Sequence, residues 1–209
     1  MKNCKKLIGM GVALAMLGIA TPFSAFAAST PSLGTAGTFG VLSGTFTRNI
    51  GLTAITGDLG FTTLSGSGTH TVSGSTVTPP TIAQGDAGTA LTNLNSQLCT
   101  FTFAPGAIDL ATDTTHGALG VYTPGVYCTS GAGAASVGTA GISLNGAGTY
   151  IFRIAGALTS VNNSNVTLAN GASSCDVFWT PTAATTLGAN TAFRGTIIDN
   201  ANAITVGNL

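Results

Sequence analysis

The stretch Thr186-Leu187-Gly188-Ala189-Asn190-Thr191-Ala192-Phe193-Arg194-Gly195-Thr196-Ile197-Ile198 leads, through Asp199-Asn200-Ala201-Asn202, into Ala203-Ile204-Thr205-Val206-Gly207. Thr-Leu-Gly at 186–188 and Thr-Val-Gly at 205–207 are 19 residues apart, the length of one coil of a three-sided β-solenoid. The runs between are short and rich in Thr, Val and Ile, which suit pleated strands. Their linkers are Asn, Gly and Ala clusters, not the two-residue Asn-Gly turns that would mark hairpins.

The same texture extends upstream. Strands are expected at Phe39–Leu42, Gly44–Thr47, Val121–Cys128, Tyr150–Ile154, Ala157–Val161, Asp176–Thr180 and Ala192–Ile198. A Greek-key sandwich is the alternative on strand count alone. One segment has a helical period: Ile82, Ala87, Ala90, Leu91, Leu94 and Leu98 recur every three or four residues, after Pro79-Pro80. Gly85 and Gly88 weaken this helix of about 81–98, so it must lean on the body of the protein to persist.

Composition narrows the function. The chain has no glutamate, and its three lysines, Lys2, Lys5 and Lys6, all precede residue 28. Arg48, Arg153 and Arg194 are the remaining cations, too few to neutralise a phosphate backbone, so nucleic acid is not an expected partner. Residues 1–27 read as a signal peptide: a lysine-rich start, the apolar run Leu7 to Ala20, then Ala25-Phe26-Ala27 before the expected cleavage. Residues 28–209 are then one exported domain, secreted or at the cell surface. Export permits a disulfide; Cys99–Cys128 is the pairing suggested by position, and three free thiols are the alternative.

Catalysis is not expected. Asp58, Asp86, Asp109, Asp113, Asp176 and Asp199 are the whole acidic stock, and Asp58 in Thr-Gly-Asp-Leu-Gly most simply caps a turn. His70 and His116 are isolated and read as surface polar residues, with no metal-site spacing. No metal, cofactor or small-molecule substrate is implied.

Several strings carry a resemblance: Leu33-Gly34-Thr35-Ala36-Gly37-Thr38-Phe39-Gly40-Val41-Leu42-Ser43, Thr56-Gly57-Asp58-Leu59-Gly60, Thr123-Pro124-Gly125-Val126-Tyr127, Tyr150–Thr159, Cys175–Trp179 and Thr186–Ile198. In this order they resemble the microbial ice-binding protein family, over about residues 33–209. The resemblance implies a mainly β fold: an irregular right-handed β-solenoid (β-helix) with one long helix packed alongside. It implies a secreted protein that adsorbs to ice through a flat face and inhibits ice growth and recrystallisation, without enzyme activity or cofactor. The alternative is a cell-surface or matrix adhesin of the same fold without ice affinity. Members of the family continue beyond a segment like Ile204-Thr205-Val206 through a further coil, so the resemblance implies that a C-terminal coil is missing here. The protein is then expected to be a monomer unless another chain caps that end.

A strand places side chains i and i+2 about 6.6–6.8 Å apart, with neighbouring strands about 4.7–4.9 Å away, so a solenoid face is a lattice. Threonine suits an ice-like lattice: its hydroxyl donates and accepts, and β-branching keeps it stiff. Alternation nominates Thr45, Thr47, Thr196 and Thr205 as outward residues, with Thr69 and Thr71 extending the array. The strings Thr53-Ala54-Ile55-Thr56 and Thr182-Ala183-Ala184-Thr185 resemble a pattern some family members carry on the ice face, which adds Thr53 and Thr56.

Overall fold

The computed structural model describes residues 27–43, 46–48, 53–199 and 203–207. The first 26 residues of the expected signal segment, and Thr45, lie outside them.

From residue 101 onward the chain winds through three sheets in a fixed order. The first sheet stacks Phe101–Thr102, Gly125–Cys128, Tyr150–Ile154, Val177–Pro181 and Thr196–Ile197. The second stacks Ile108–Asp109, Ala135–Val137, Leu158–Ser160, Thr185–Leu187 and Ile204–Val206. The third stacks Val121–Tyr122, Ile142–Asn145 and Val166–Ala169, and the bridge Asn165–Ala192 carries it one coil further. Every pairing is parallel, as a solenoid requires. Successive strands of the first sheet begin 24, 25, 27 and 19 residues apart, so the coils vary in length while their strands stay in register.

Three smaller parallel sheets form the N-terminal coils. They pair Phe39–Leu42 with Asp58–Gly60 and Thr76–Val77, Phe46–Arg48 with Thr63–Ser65, and Thr53–Ile55 with His70–Val72.

Strand boundaries differ from the sequence reading where a corner interrupts a run. Val121–Cys128 is two strands on different sheets, split at Thr123-Pro124, because proline supplies no N–H to a ladder. In the stretch Ala192–Ile198 only Thr196–Ile197 is strand, with Ala192 in a single bridge.

The helix spans Thr81–Ser96 and packs on the first sheet. Its 16 residues run about 24 Å, roughly five strand spacings. Ala90 and Leu94 are buried against Val126, Cys128, Ile151, Phe178 and Ile198. Small residues let the helix lie close, and Ala83 rather than Ile82 turns inward; Ile82 is 73% exposed. Leu98 is exposed because the chain becomes extended at Gln97 and leaves the helical stripe. The disulfide Cys99–Cys128 ties the end of this element to the sheet beneath it.

Inside the coils, Phe101, Tyr127, Phe152 and Trp179 share one register and form a ladder of rings. Phe152 stacks on Trp179 with centroids 4.1 Å apart, and Tyr127 on Phe152 at 5.4 Å. Each such pair contributes about 0.5–1.5 kcal/mol beyond burial. The Trp179 indole N–H donates to the Arg194 carbonyl at 3.0 Å. Phe178, one residue earlier, faces the other way and is buried under the helix.

His116 is not a surface residue. Its side chain is 2% exposed, stacked on Tyr122 at 3.9 Å, with Nδ1 2.6 Å from the Asp113 carboxylate. Its Nε2 lies 3.0 Å from the Val121 carbonyl. This ring closes the aromatic ladder at the first coil, a long-range placement that its threonine neighbours in sequence do not disclose.

Candidate functional site

The helix covers the first sheet, so the second and third are the faces to compare. In the second sheet the central residue of each strand points outward. Register aligns Asp109, Ser136, Thr159, Thr186 and Thr205 in a single row along the solenoid. In the middle strands the residues on either side turn in: Leu158 and Thr185 are 0% exposed and Ser160 is 1% exposed, whereas Ile204 and Val206 beside Thr205 are 43% and 68% exposed. Thr159, Thr186 and Thr205 are exposed, while Ser136 and Asp109 are half-buried. The row therefore advances by about 4.7–4.9 Å per position.

Small residues flank this row. The residue preceding each strand is alanine: Ala107, Ala134, Ala157, Ala184 and Ala203. After the strands come Gly138, Gly188 and Gly207 at three of the corners. A Cβ at Gly188 would lie 2.6 Å from the Asn162 backbone nitrogen, and one at Gly207 would lie 2.7 Å from that of Ala189. Glycine is thus required by the close approach of successive coils. Asn162 accepts the Ala189 N–H at 2.9 Å, stitching the same corner.

At the first-coil end the row is tied down. Asp109 accepts the N–H groups of Ala111 and Gly138, both at 2.9 Å, and the Ser136 hydroxyl donates to the Ile108 carbonyl at 3.3 Å. The three threonines form its open part.

The third sheet is a poorer surface. Val121, Ser143 and Thr167 align there, but the Thr167 hydroxyl donates to the Ile142 carbonyl at 3.0 Å. Leu119, 59% exposed, lines a shallow depression with Val121, Ser143, Asn165 and Thr167, which breaks the level.

Of the threonines nominated from sequence, Thr205 lies in the open row. Thr196 pairs with Phe178 in the helix-covered sheet and cannot share a plane with Thr205. The Thr47 hydroxyl is buried, so it is not presented to solvent as alternation suggested, although its register partner Leu64 is 41% exposed. Thr56, Thr69 and Thr71 are exposed, Thr71 opposite Ala54, but they belong to the N-terminal coils. Thr53 pairs with His70 in those same coils.

Sequence reading passed over Ser136, Thr159 and Thr186. Their signal is a loose pentapeptide: Ala-Ala-Ser-Val-Gly at 134–138, Ala-Leu-Thr-Ser-Val at 157–161, Ala-Thr-Thr-Leu-Gly at 184–188 and Ala-Ile-Thr-Val-Gly at 203–207.

The carboxylates serve the fold. Asp58 accepts the Ser75 N–H at 2.7 Å; the Thr38 hydroxyl and that N–H hold its carboxyl below the usual range. Asp86 accepts the Thr35 hydroxyl and N–H, both at 2.7 Å, and is lowered for the same reason. Burial works to raise Asp113, but donors from His116 and Thr115 outweigh it. Burial, then the charge of Asp113, pushes the Tyr122 phenol up, so it remains a neutral donor to the Leu110 carbonyl. These carboxylates hold turns and loops rather than meeting across a cleft as an acid–base pair would.

The comparisons with known proteins follow this architecture. The family model described as Ice-binding-like matches residues 41–208. The ice-binding protein K3-B1 of Typhula ishikariensis is 32% identical over 211 residues, covering 86% of this chain and 82% of that protein. An ice-binding protein of Nostoc sp. (strain HG1) is 35% identical over 183 residues; the match covers 82% of this chain and 63% of that relative's length. The crystal structure of an ice-binding protein from the Antarctic ascomycete Antarctomyces psychrotrophicus superposes with a TM-score of 0.67 at 26% identity, over 87% of this chain and 91% of that one. The chain belongs to the Ice-binding-like family.

Proposed function

We propose that residues 28–209 form a secreted ice-binding domain, exported by the segment 1–27, that adsorbs to ice through the second sheet and inhibits ice growth and recrystallisation. The observation that carries this reading is the row Ser136, Thr159, Thr186 and Thr205, repeated at the strand spacing on a sheet flanked by alanine and glycine.

The physics is additive. Each hydroxyl that enters the ice lattice exchanges one water hydrogen bond for another, so a single contact contributes little. Rigid β-branched side chains on a fixed backbone lose little entropy on binding, whereas mobile lysine or glutamate would lose more. The threonine methyls and flanking alanines leave ordered water at the face no charged competitor. Growth stops where adsorbed molecules pin the advancing surface, and ice then bulges between them at an energetic cost.

Microscopy of single ice crystals in the purified protein tests this. Faceted crystals whose growth halts within a temperature gap are expected. Smooth discs at high protein concentration would overturn the reading and leave adhesion to other surfaces as the use of this fold.

A further inference from the structure

Resting on the ice-binding reading, the structure goes further than naming a face. In the strands Ala135–Val137, Leu158–Ser160 and Thr185–Leu187 only the central residue points outward, since its neighbours on both sides turn into the core. In Ile204–Val206 the flanking Ile204 and Val206, 43% and 68% exposed, add apolar surface and no hydroxyl beside Thr205. The adjoining outward positions are Ala157, Ala184 and Ala203 on one side and glycine corners at 188 and 207 on the other. No second column of hydroxyls runs beside the first among the described residues of this sheet. The surface is periodic in hydroxyls along the solenoid axis only.

A two-column array would fix two lattice vectors, and two vectors define a plane. A single column fixes one vector and leaves rotation about it free. We infer that this protein recognises one lattice direction of ice, with its solenoid axis along that direction, and adsorbs to every ice plane that contains it. The direction is the ice row whose repeat comes nearest to the strand spacing of about 4.7–4.9 Å. Alanine and glycine flanks permit this because they neither bond to nor clash with whatever plane lies over the row.

Cys175 is the one free thiol among the described residues, exposed in the short turn Ser174–Asp176 outside the second sheet, and in the domain 28–209 it gives a single point for a fluorescent maleimide. A single-crystal ice hemisphere is grown into the labelled protein, and the fluorescent regions are indexed. The expected result is continuous bands of bound planes that share one lattice direction. Isolated patches of one plane orientation, or bound planes with no common direction, would overturn the inference while leaving ice binding intact. No coating at all would overturn the ice-binding reading and this inference with it. Thr186→Tyr, labelled in the same way, is expected to lose the bands at least tenfold in intensity; bands unchanged in that variant would show that another face makes them.

Discussion

Thr185 and Thr186 are neighbours with opposite fates, and one substitution made at each tests the assigned register. Thr185 is 0% exposed, between Leu158 and Ile204 in the sheet, and its hydroxyl has no hydrogen-bond partner among the described residues. An unpaired buried hydroxyl carries a desolvation cost of about 1–3 kcal/mol. Valine keeps the branched shape and removes the hydroxyl, so Thr185→Val is expected to stabilise the protein by about 2 kcal/mol. For a domain of this size that is a rise in Tm of about 4–8 °C. Thr186 is exposed, so Thr186→Val changes stability by less than about 0.5 kcal/mol. Differential scanning calorimetry of both variants measures the contrast, and ice-crystal microscopy should show activity unchanged in Thr185→Val but reduced in Thr186→Val. A Tm that falls in Thr185→Val, or rises equally in both, would refute the inward–outward assignment on which the row depends.

Other consequences follow from the same geometry. Cys99 and Cys128 are 29 residues apart, so the chain-entropy estimate for their disulfide is about 3–4 kcal/mol. Replacing both by serine should lower Tm by about 7–14 °C in a thermal melt; a negligible change would mean that the apolar contacts of Ala90 and Leu94 hold the helix unaided. Asp86, lowered by the Thr35 hydroxyl and N–H, favours folding above the ordinary value of 3.8, and that contribution is lost as pH falls through its folded value. Acid titration of Asp86→Asn, followed by circular dichroism, should therefore show a shallower loss of stability below that ordinary value than the parent; identical curves would contradict the sign. Tyrosine at Thr167, on the third sheet, should leave ice-crystal shaping unchanged, and loss of shaping would move the site to that face.

What the sequence disclosed was local, and what it concealed was long-range. The helix could be placed because Pro79-Pro80 and the apolar recurrence from Ala87 to Leu94 are short-range signals. The solenoid could be read from Thr186-Leu187-Gly188 and Thr205-Val206-Gly207, one coil apart. The row itself was hidden because its pentapeptides begin at 134, 157, 184 and 203, at unequal intervals that no fixed period detects. Coil length varies at the corners, while register is set by ladder hydrogen bonds such as Gly188 N–H to Ser160 and Gly207 N–H to Leu187. Alternation also failed locally at Thr47, whose hydroxyl is buried although its register partner Leu64 is 41% exposed. Thr196 follows alternation but belongs to the sheet the helix covers, aligned with Phe178, a placement that only the packing of Phe178 and Ile198 on the helix reveals.

The central claim is that ice meets the second sheet, and tyrosine placed on two faces tests it most directly. Freezing hysteresis is measured for Thr186→Tyr on the second sheet and Thr196→Tyr on the helix-covered sheet, each at matched concentration and with an unchanged circular dichroism spectrum. The account predicts loss of most of the activity in Thr186→Tyr and retention in Thr196→Tyr; retention in Thr186→Tyr with loss in Thr196→Tyr would contradict it.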